Sequence, residues 1–189
     1  MKLIVVVGMP GSGKSTCIEA MKSLGLPVVC MGDVVREEVR RRGLEPSPQS
    51  FAEVAQDLRR RYGPAAIAML TAEKIRSLDA PAIIVDGVRS LDEVEYFRRN
   101  VSEDIVIVAV HASPRTRFER LRRRGREDDP RTWEEFIERD MRELGWGIGS
   151  VIALADHMIV NEGSLEELHE KCRAVAKTMK ESQQQPQNV

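Results

Sequence analysis

Residues 4–16 read IVVVGMPGSGKST, a run of stiff apolar residues that stops at a glycine-rich stretch ending in Lys-Ser-Thr. The apolar run is continuous rather than alternating, which suits a strand covered on both faces. The segment GMPGSGKS fits G-x-x-x-x-G-K-[ST], with Gly8, Gly13, Lys14 and Ser15 in register. Gly8, Pro10, Gly11, Ser12 and Gly13 would form a turn whose backbone N–H groups converge on anionic oxygens. The helix beginning at Lys14, Ser15 and Thr16 would add its unpaired N–H groups and its dipole. Lys14 would reach the β- and γ-phosphates and Ser15 would hold Mg²⁺. A chance glycine turn is the competing reading. The strand before and the helix after weigh against it, so the stretch predicts nucleotide binding.

The rest of the chain repeats the strand-then-helix order. Apolar runs at Leu3–Val7, Val28–Met31, Ala82–Val85, Ile105–Val110 and Met158–Val160 predict strands. Helical patterns follow at Ser15–Leu24, Asp33–Arg42, Phe51–Leu78, Leu91–Arg99, Pro114–Arg124, Thr132–Leu144 and Leu165–Lys180. Ser164 and Glu167 predict a capping box for the last of these. Alternation of this kind predicts an open parallel α/β sheet. The 189 residues are enough for one sizeable core. The polar tail SQQQPQNV predicts disorder at 183–189, leaving 1–182 as a single domain.

Composition narrows the class. Net charge is −1, so no global basic excess draws the chain to nucleic acid or membrane, although arginine is locally dense. The longest apolar runs are far short of the roughly 20 residues that span a bilayer, and Met1-Lys2-Leu3 leads straight into a strand with no room for a signal peptide. A cytoplasmic location is therefore expected. Cys17, Cys30 and Cys172 are odd in number and widely spaced, which predicts reduced, packed thiols rather than a disulfide framework. His111, His157 and His169 have no metal-ligand spacing, and Trp133 and Trp146 are expected to pack rather than line a base pocket.

Two further features bear on chemistry. IIVDG at 83–87 is an apolar strand ending in Asp86, whose carboxylate can hold a Mg²⁺-bound water beside the phosphates; Asp-Gly is also a common turn pair. On helix 114–124, Arg117, Arg120 and Arg124 fall on one face, with Phe118 and Leu121 on another, packed inward. Phosphoryl transfer is mostly alignment and charge neutralisation, and the planar, always-charged guanidinium suits it. A solvated basic face is the competing reading. GWGIGS at 145–150 lacks a preceding strand and is read as a hinge, not a dinucleotide fingerprint.

With these motifs in hand, the chain resembles the nucleoside monophosphate kinases and dephospho-CoA kinase, and among them an archaeal adenylate-kinase-related P-loop family. GDVVREEV (32–39) resembles the acceptor-side helix start, where Arg36 would hold the acceptor phosphate. DGVR (86–89) resembles Asp-Gly-Phe-Pro-Arg shortened by one residue, with Arg89 facing the acceptor. RLRRRGREDD (120–129) with Arg139 resembles an arginine-bearing short lid. The resemblance implies a P-loop NTPase three-layer fold with a five-stranded parallel sheet, an acceptor-binding insert at about 32–78 and a lid at about 114–145. It implies ATP and Mg as cofactors. Lys14, Asp33, Asp86, Arg120 and Arg124 would be catalytic, Arg120 also on ATP, and Arg36, Arg89, Arg126 and Arg139 would bind the acceptor with Asp33.

The acceptor is left open. A nucleoside monophosphate presents an anionic oxygen and needs no base, and Arg36 and Arg89 suit its phosphate. A ribose hydroxyl, as in dephospho-CoA, needs a base, and Asp33 is placed for one by the resemblance. Met31 stands where adenylate kinases carry a hydroxyl residue. A third reading is an adenylate-kinase-like ATPase switch on RNA or ribosomal particles; near-neutral charge and no aromatic-interleaved basic patch weigh against it.

Overall fold

The computed structural model describes residues 1–126 and 128–181. Its sheet holds five strands, β1 (Lys2–Val7), β2 (Val28–Cys30), β3 (Ala82–Asp86), β4 (Ile105–His111) and β5 (His157–Val160), in the order β2-β3-β1-β4-β5. All four pairings are parallel. The strand expectations hold within a residue or two at each end. The proposed tail at 183–189 lies outside the described residues.

Both faces of the sheet are covered, as the unbroken apolar runs require. Successive β1 side chains point to opposite faces. Leu3, Val5 and Val7 enter one core, shared with α2 (Met31–Arg41), α3 (Pro48–Tyr62), α4 (Ala66–Arg76), α5 (Leu91–Asn100) and α8 (Ile148–Ala153). Ile4 and Val6 enter the other, shared with α1 (Lys14–Lys22) and α9 (Leu165–Glu181). Between β4 and β5 the chain also forms α6 (Pro114–Arg124) and α7 (Trp133–Gly145).

Helix ends follow local chemistry. Ser47 caps α3 in a reciprocal box with Ser50, and Pro48 opens its first turn. Thr132 and Glu135 do the same for α7. Ser164 Oγ accepts from the Glu167 N–H at 3.2 Å at the start of α9. The single helix expected at Phe51–Leu78 is two. Gly63 takes a positive φ of 89° and Pro64 follows, so the chain turns before α4. The expected hinge at 145–150 is a tight turn, with Gly147 in the left-handed region (φ 101°) leading directly into α8.

The cysteine expectation needs correction. Cys17 on α1 and Cys172 on α9 form a disulfide, with their Cα atoms 5.4 Å apart and 155 residues between them. The two helices pack side by side on one face of the sheet, and both sulfurs lie in that core. Cys30 is free.

Electrostatics hold α2 to α3. Arg42 on the C-terminal edge of α2 bridges Glu38 and Asp57 at 2.7 Å each. Hydrogen bonds from Arg41, then from Arg42, hold the Glu38 carboxyl down at about 2, below its ordinary 4.5. A carboxylate with a lowered folded pKa stabilises fully above its unfolded pKa and loses that contribution as pH falls through the folded one. Acid should therefore weaken this pair between about pH 4.5 and pH 2. Melting temperature measured across that range should fall less steeply in Glu38→Gln than in the parent.

Candidate phosphate-binding site at the carboxyl ends of the strands

The site lies at the carboxyl ends of the parallel strands, where open α/β sheets bind ligands. The loop after β1 wraps from Gly8 to Gly13 and enters α1 at Lys14. Its glycines are required by close approaches. A Cβ on Gly8 would stand 2.5 Å from Ser12 Oγ and 2.6 Å from the Val110 carbonyl. Gly13 has a φ of 98°, and a Cβ there would lie 2.3 Å from Asn161 Nδ2. Ser12 Oγ is buried and has no hydrogen-bond partner among the described residues. An orphaned buried hydroxyl in a glycine-rich loop at the mouth of a helix is what an anion would satisfy. The residues present therefore fit a bound phosphate.

Register brings the second motif to the first. Val6 of β1 pairs with Asp86 of β3, so the loop following β1 rises beside the end of β3. Lys14 Nζ donates to Asp86 Oδ1 there. Ser15, on the first turn of α1, is exposed. Ser15 and Asp86 are the residues that could hold Mg²⁺.

A cavity of about 620 Å³ opens above this loop. Gly8, Pro10, Gly11, Ser12, Gly13, Lys14, Ser15 and Thr16 form its floor, and Arg36, Arg89, Arg120, Arg124, Arg126 and Arg139 form its walls. The structure thus brings together these six arginines, all singled out from the sequence, but not Arg117. Asp33 is absent from this lining. It sits on the first turn of α2 rather than at the end of β2, exposed, and accepts from Arg36 Nη1 at 2.5 Å.

Five of the six wall arginines have a carboxylate or carbonyl holding the guanidinium, Arg36 through Asp33 as above. Arg124 binds both oxygens of Asp129, whose carboxyl it holds below its ordinary value. Arg139 donates to the Asp128 carbonyl at 2.8 Å and to the Asp128 carboxylate at 3.1 Å. Arg120 donates to the Asn161 carbonyl at 3.1 Å. Arg89 Nη1 donates to Glu143 at 2.6 Å, and its guanidinium lies 4.7 Å over the ring of Trp146. Its own N–H donates at 2.7 Å to Glu93, which is buried; burial holds that carboxyl above the usual range.

Arg117 departs from the expected face. It is 5% exposed, and both its terminal nitrogens meet Asp140 of α7, at 2.8 and 2.5 Å. It also donates to the carbonyls of Ala112 at 3.1 Å and Pro10 at 3.2 Å. A buried guanidinium with this many acceptors is part of the framework. Trp133 packs with Phe118 and Phe136, ring centroids 5.3 and 5.1 Å away.

Sequence reasoning passed over Asn161. It is buried, and its side chain donates to the Ser12 carbonyl at 2.7 Å, bracing the phosphate loop from the end of β5. A polar residue directly after an apolar strand was the available signal. Asp140 and Glu143 were also missed, and no local pattern marks them.

Comparison with known proteins fits this geometry. A family model described as an AAA domain matches residues 7–137. A UPF0200 protein of Hyperthermus butylicus is 57% identical over 171 residues, covering 90% of this chain and 91% of that one. The chain belongs to the archaeal UPF0200 family. Among solved structures, shikimate kinase from Bacteroides thetaiotaomicron is similar at a TM-score of 0.59 and 14% identity, covering 95% of this chain and 98% of its own. A gluconokinase from Sinorhizobium meliloti is similar at 0.59 and 18%, covering 96% and 95%. At those identities the likeness is one of fold: this member of UPF0200 has a P-loop kinase-like fold. No helix among its described residues is long and apolar enough to cross a membrane.

Proposed function

We propose that this protein is a Mg²⁺-dependent phosphotransferase of the nucleoside monophosphate kinase type, moving the γ-phosphate of ATP to a nucleotide-type acceptor. The observation that carries this reading is one cavity in which a phosphate loop faces a wall of arginines. A single triphosphate needs the loop and part of the wall. The remainder, Arg36 and Arg89 on the side of α2 and β3, supports a second phosphorylated ligand. Residues 32–78 would be the acceptor insert and 114–145 the lid of a single domain, working in the cytoplasm.

In this reading the loop amides and Lys14 hold the β- and γ-phosphates. Lys14, which meets Asp86 in this structure, would turn to phosphate oxygens, and Asp86 with Ser15 would be the residues to hold Mg²⁺. Mg²⁺ would neutralise charge on the β- and γ-oxygens. Arg120 and Arg124 face the transferred group, whose oxygens a planar guanidinium can bind in pairs. Arg36, Arg89, Arg126 and Arg139 orient the acceptor, since phosphoryl transfer is promoted by positioning together with charge stabilisation. An anionic acceptor oxygen needs no base, so Asp33 serves to aim Arg36.

The test is incubation of Mg·ATP with nucleoside monophosphates, dephospho-CoA and RNA, scoring phosphorylated product separately from ADP release. Product from a monophosphate supports the reading. Product from dephospho-CoA moves Asp33 to the role of base. RNA-stimulated hydrolysis without a phosphorylated small molecule overturns phosphotransfer in favour of an ATP-driven switch. Arg36→Ala should raise the acceptor KM or lower kcat while ATP affinity stays near that of the parent, as expected of a group that touches the acceptor alone. Equal damage to ATP binding would remove Arg36 from that role.

A further inference from the structure

Three consecutive contacts of α7 reach three different parts of the cavity. Arg139 holds the 128–129 segment through Asp128. Asp140 holds Arg117, whose Nη1 donates to the Pro10 carbonyl of the phosphate loop. Glu143 holds the Arg89 guanidinium, which is sandwiched against Trp146 just past the helix end. Residues spaced by three or four on a helix share a side, so one rigid turn of α7 presents all of these groups. The contacts are buried where it matters: Arg117 and Asp140 are 5% and 8% exposed. Phe136, also on α7, packs its ring 4.9 Å from the Arg117 guanidinium.

We propose that α7 is a relay in which Asp140 and Glu143 are positioning residues. Through Arg117 and Arg89 they tie the backbone of the phosphate loop to the guanidinium assigned to the acceptor. The proposal rests on the functional reading above and deepens it, because it says how filling one half of the cavity arranges the other. Nucleotide entering the loop shifts the Pro10 segment. Arg117 and Asp140 cannot lose their bidentate bond without leaving a buried charge unpaired, so the shift passes to α7. Glu143 moves with it and re-aims Arg89. Coupling of this kind is read as a response where α7 meets Arg89 and Trp146.

Trp146 supplies that readout. The chain has two tryptophans, Trp133 and Trp146, and Trp133→Phe leaves emission from Trp146 alone. Trp146 is not part of the cavity lining but Arg89 and Glu143 beside it are, so loss of the shift in Asp140→Asn is what separates the relay from direct contact of ligand with Arg89. Mg·AMP-PNP should bind this parent by calorimetry and shift its Trp146 emission. In Asp140→Asn, which leaves the Glu143–Arg89–Trp146 contacts in place, calorimetric binding should persist and the emission shift should be lost. Because Asp140→Asn removes half of a buried ion pair and can fail to fold, Glu143→Gln is the second variant; it has the same shape, and there too binding should remain while the shift disappears. Binding without an emission shift in the parent, or a shift that survives in the folded variants, overturns the relay and leaves the functional reading standing. No binding of Mg·AMP-PNP to the parent overturns the functional reading and the relay together.

Discussion

Lys14→Ala should reduce phosphotransfer turnover by about 10²–10³-fold, the usual loss when a main stabiliser of transition-state charge is removed. Lys14 is the first residue of α1, pointing back over the loop, and it meets Asp86 because β1 and β3 are neighbours in register. No other lysine lines the cavity among the described residues. Arg36, Arg89, Arg120, Arg124 and Arg139 are paired with Asp33, Glu143, Asn161, Asp129 and Asp128, so putting one of them in place of the ammonium would break such a contact. The fold should survive, since the partner left behind, Asp86, is partly exposed to water. Steady-state assays with Mg·ATP and the acceptor identified by the panel check this. Turnover within a few-fold of the parent would remove Lys14 from the chemistry.

The second large effect concerns stability. Removing the Cys17–Cys172 link, by Cys172→Ala or by reduction, should cost about 2–5 kcal/mol. The bond closes a loop with a sequence separation of 155, so most of the chain is constrained in the unfolded state. The link also anchors α9, whose Leu168, Ala176 and Met179 complete the core over α1. Since α1 carries the phosphate loop at its start, loss of the anchor loosens the floor of the cavity as well. Thermal unfolding with and without reductant should show a lower melting temperature under reduction, and Cys172→Ala should be insensitive to reductant. Equal melting temperatures for oxidised and reduced protein would show that the two sulfurs are not joined in solution.

What the sequence disclosed was whatever is contiguous along the chain. The phosphate loop is eight successive residues that specify their own turn, and the continuous apolar runs announce buried parallel strands without any knowledge of neighbours. Asp86 and the wall arginines other than Arg139 were found because each sits within a short motif. Contacts made across the fold were not legible. Arg117 and Arg120 lie on one helix at a spacing that puts them on the same side, yet one is buried against Asp140 and the other lines the cavity. The difference is set by α7, and helical periodicity is blind to a partner from elsewhere. Cys17 and Cys172 failed for the same reason: nothing in an odd, scattered count shows that α1 and α9 pack side by side. Asn161 and Glu143 act on groups 149 and 54 residues away. The split of 51–78 into two helices was visible in Gly63-Pro64, and the apolar pattern running through it outweighed that signal.

The central claim is that the loop from Gly8 to Ser15 cradles a triphosphate at the mouth of α1 while the arginine wall closes over it. A crystal structure grown with Mg²⁺ and AMP-PNP tests it most directly. The account places the β- and γ-phosphates within hydrogen-bonding distance of the loop amides and of Lys14, which has left Asp86, with Arg120 and Arg124 turned towards the γ-phosphate. A nucleotide bound elsewhere, or a loop that keeps Lys14 on Asp86 with no phosphate at saturating ligand, would contradict it.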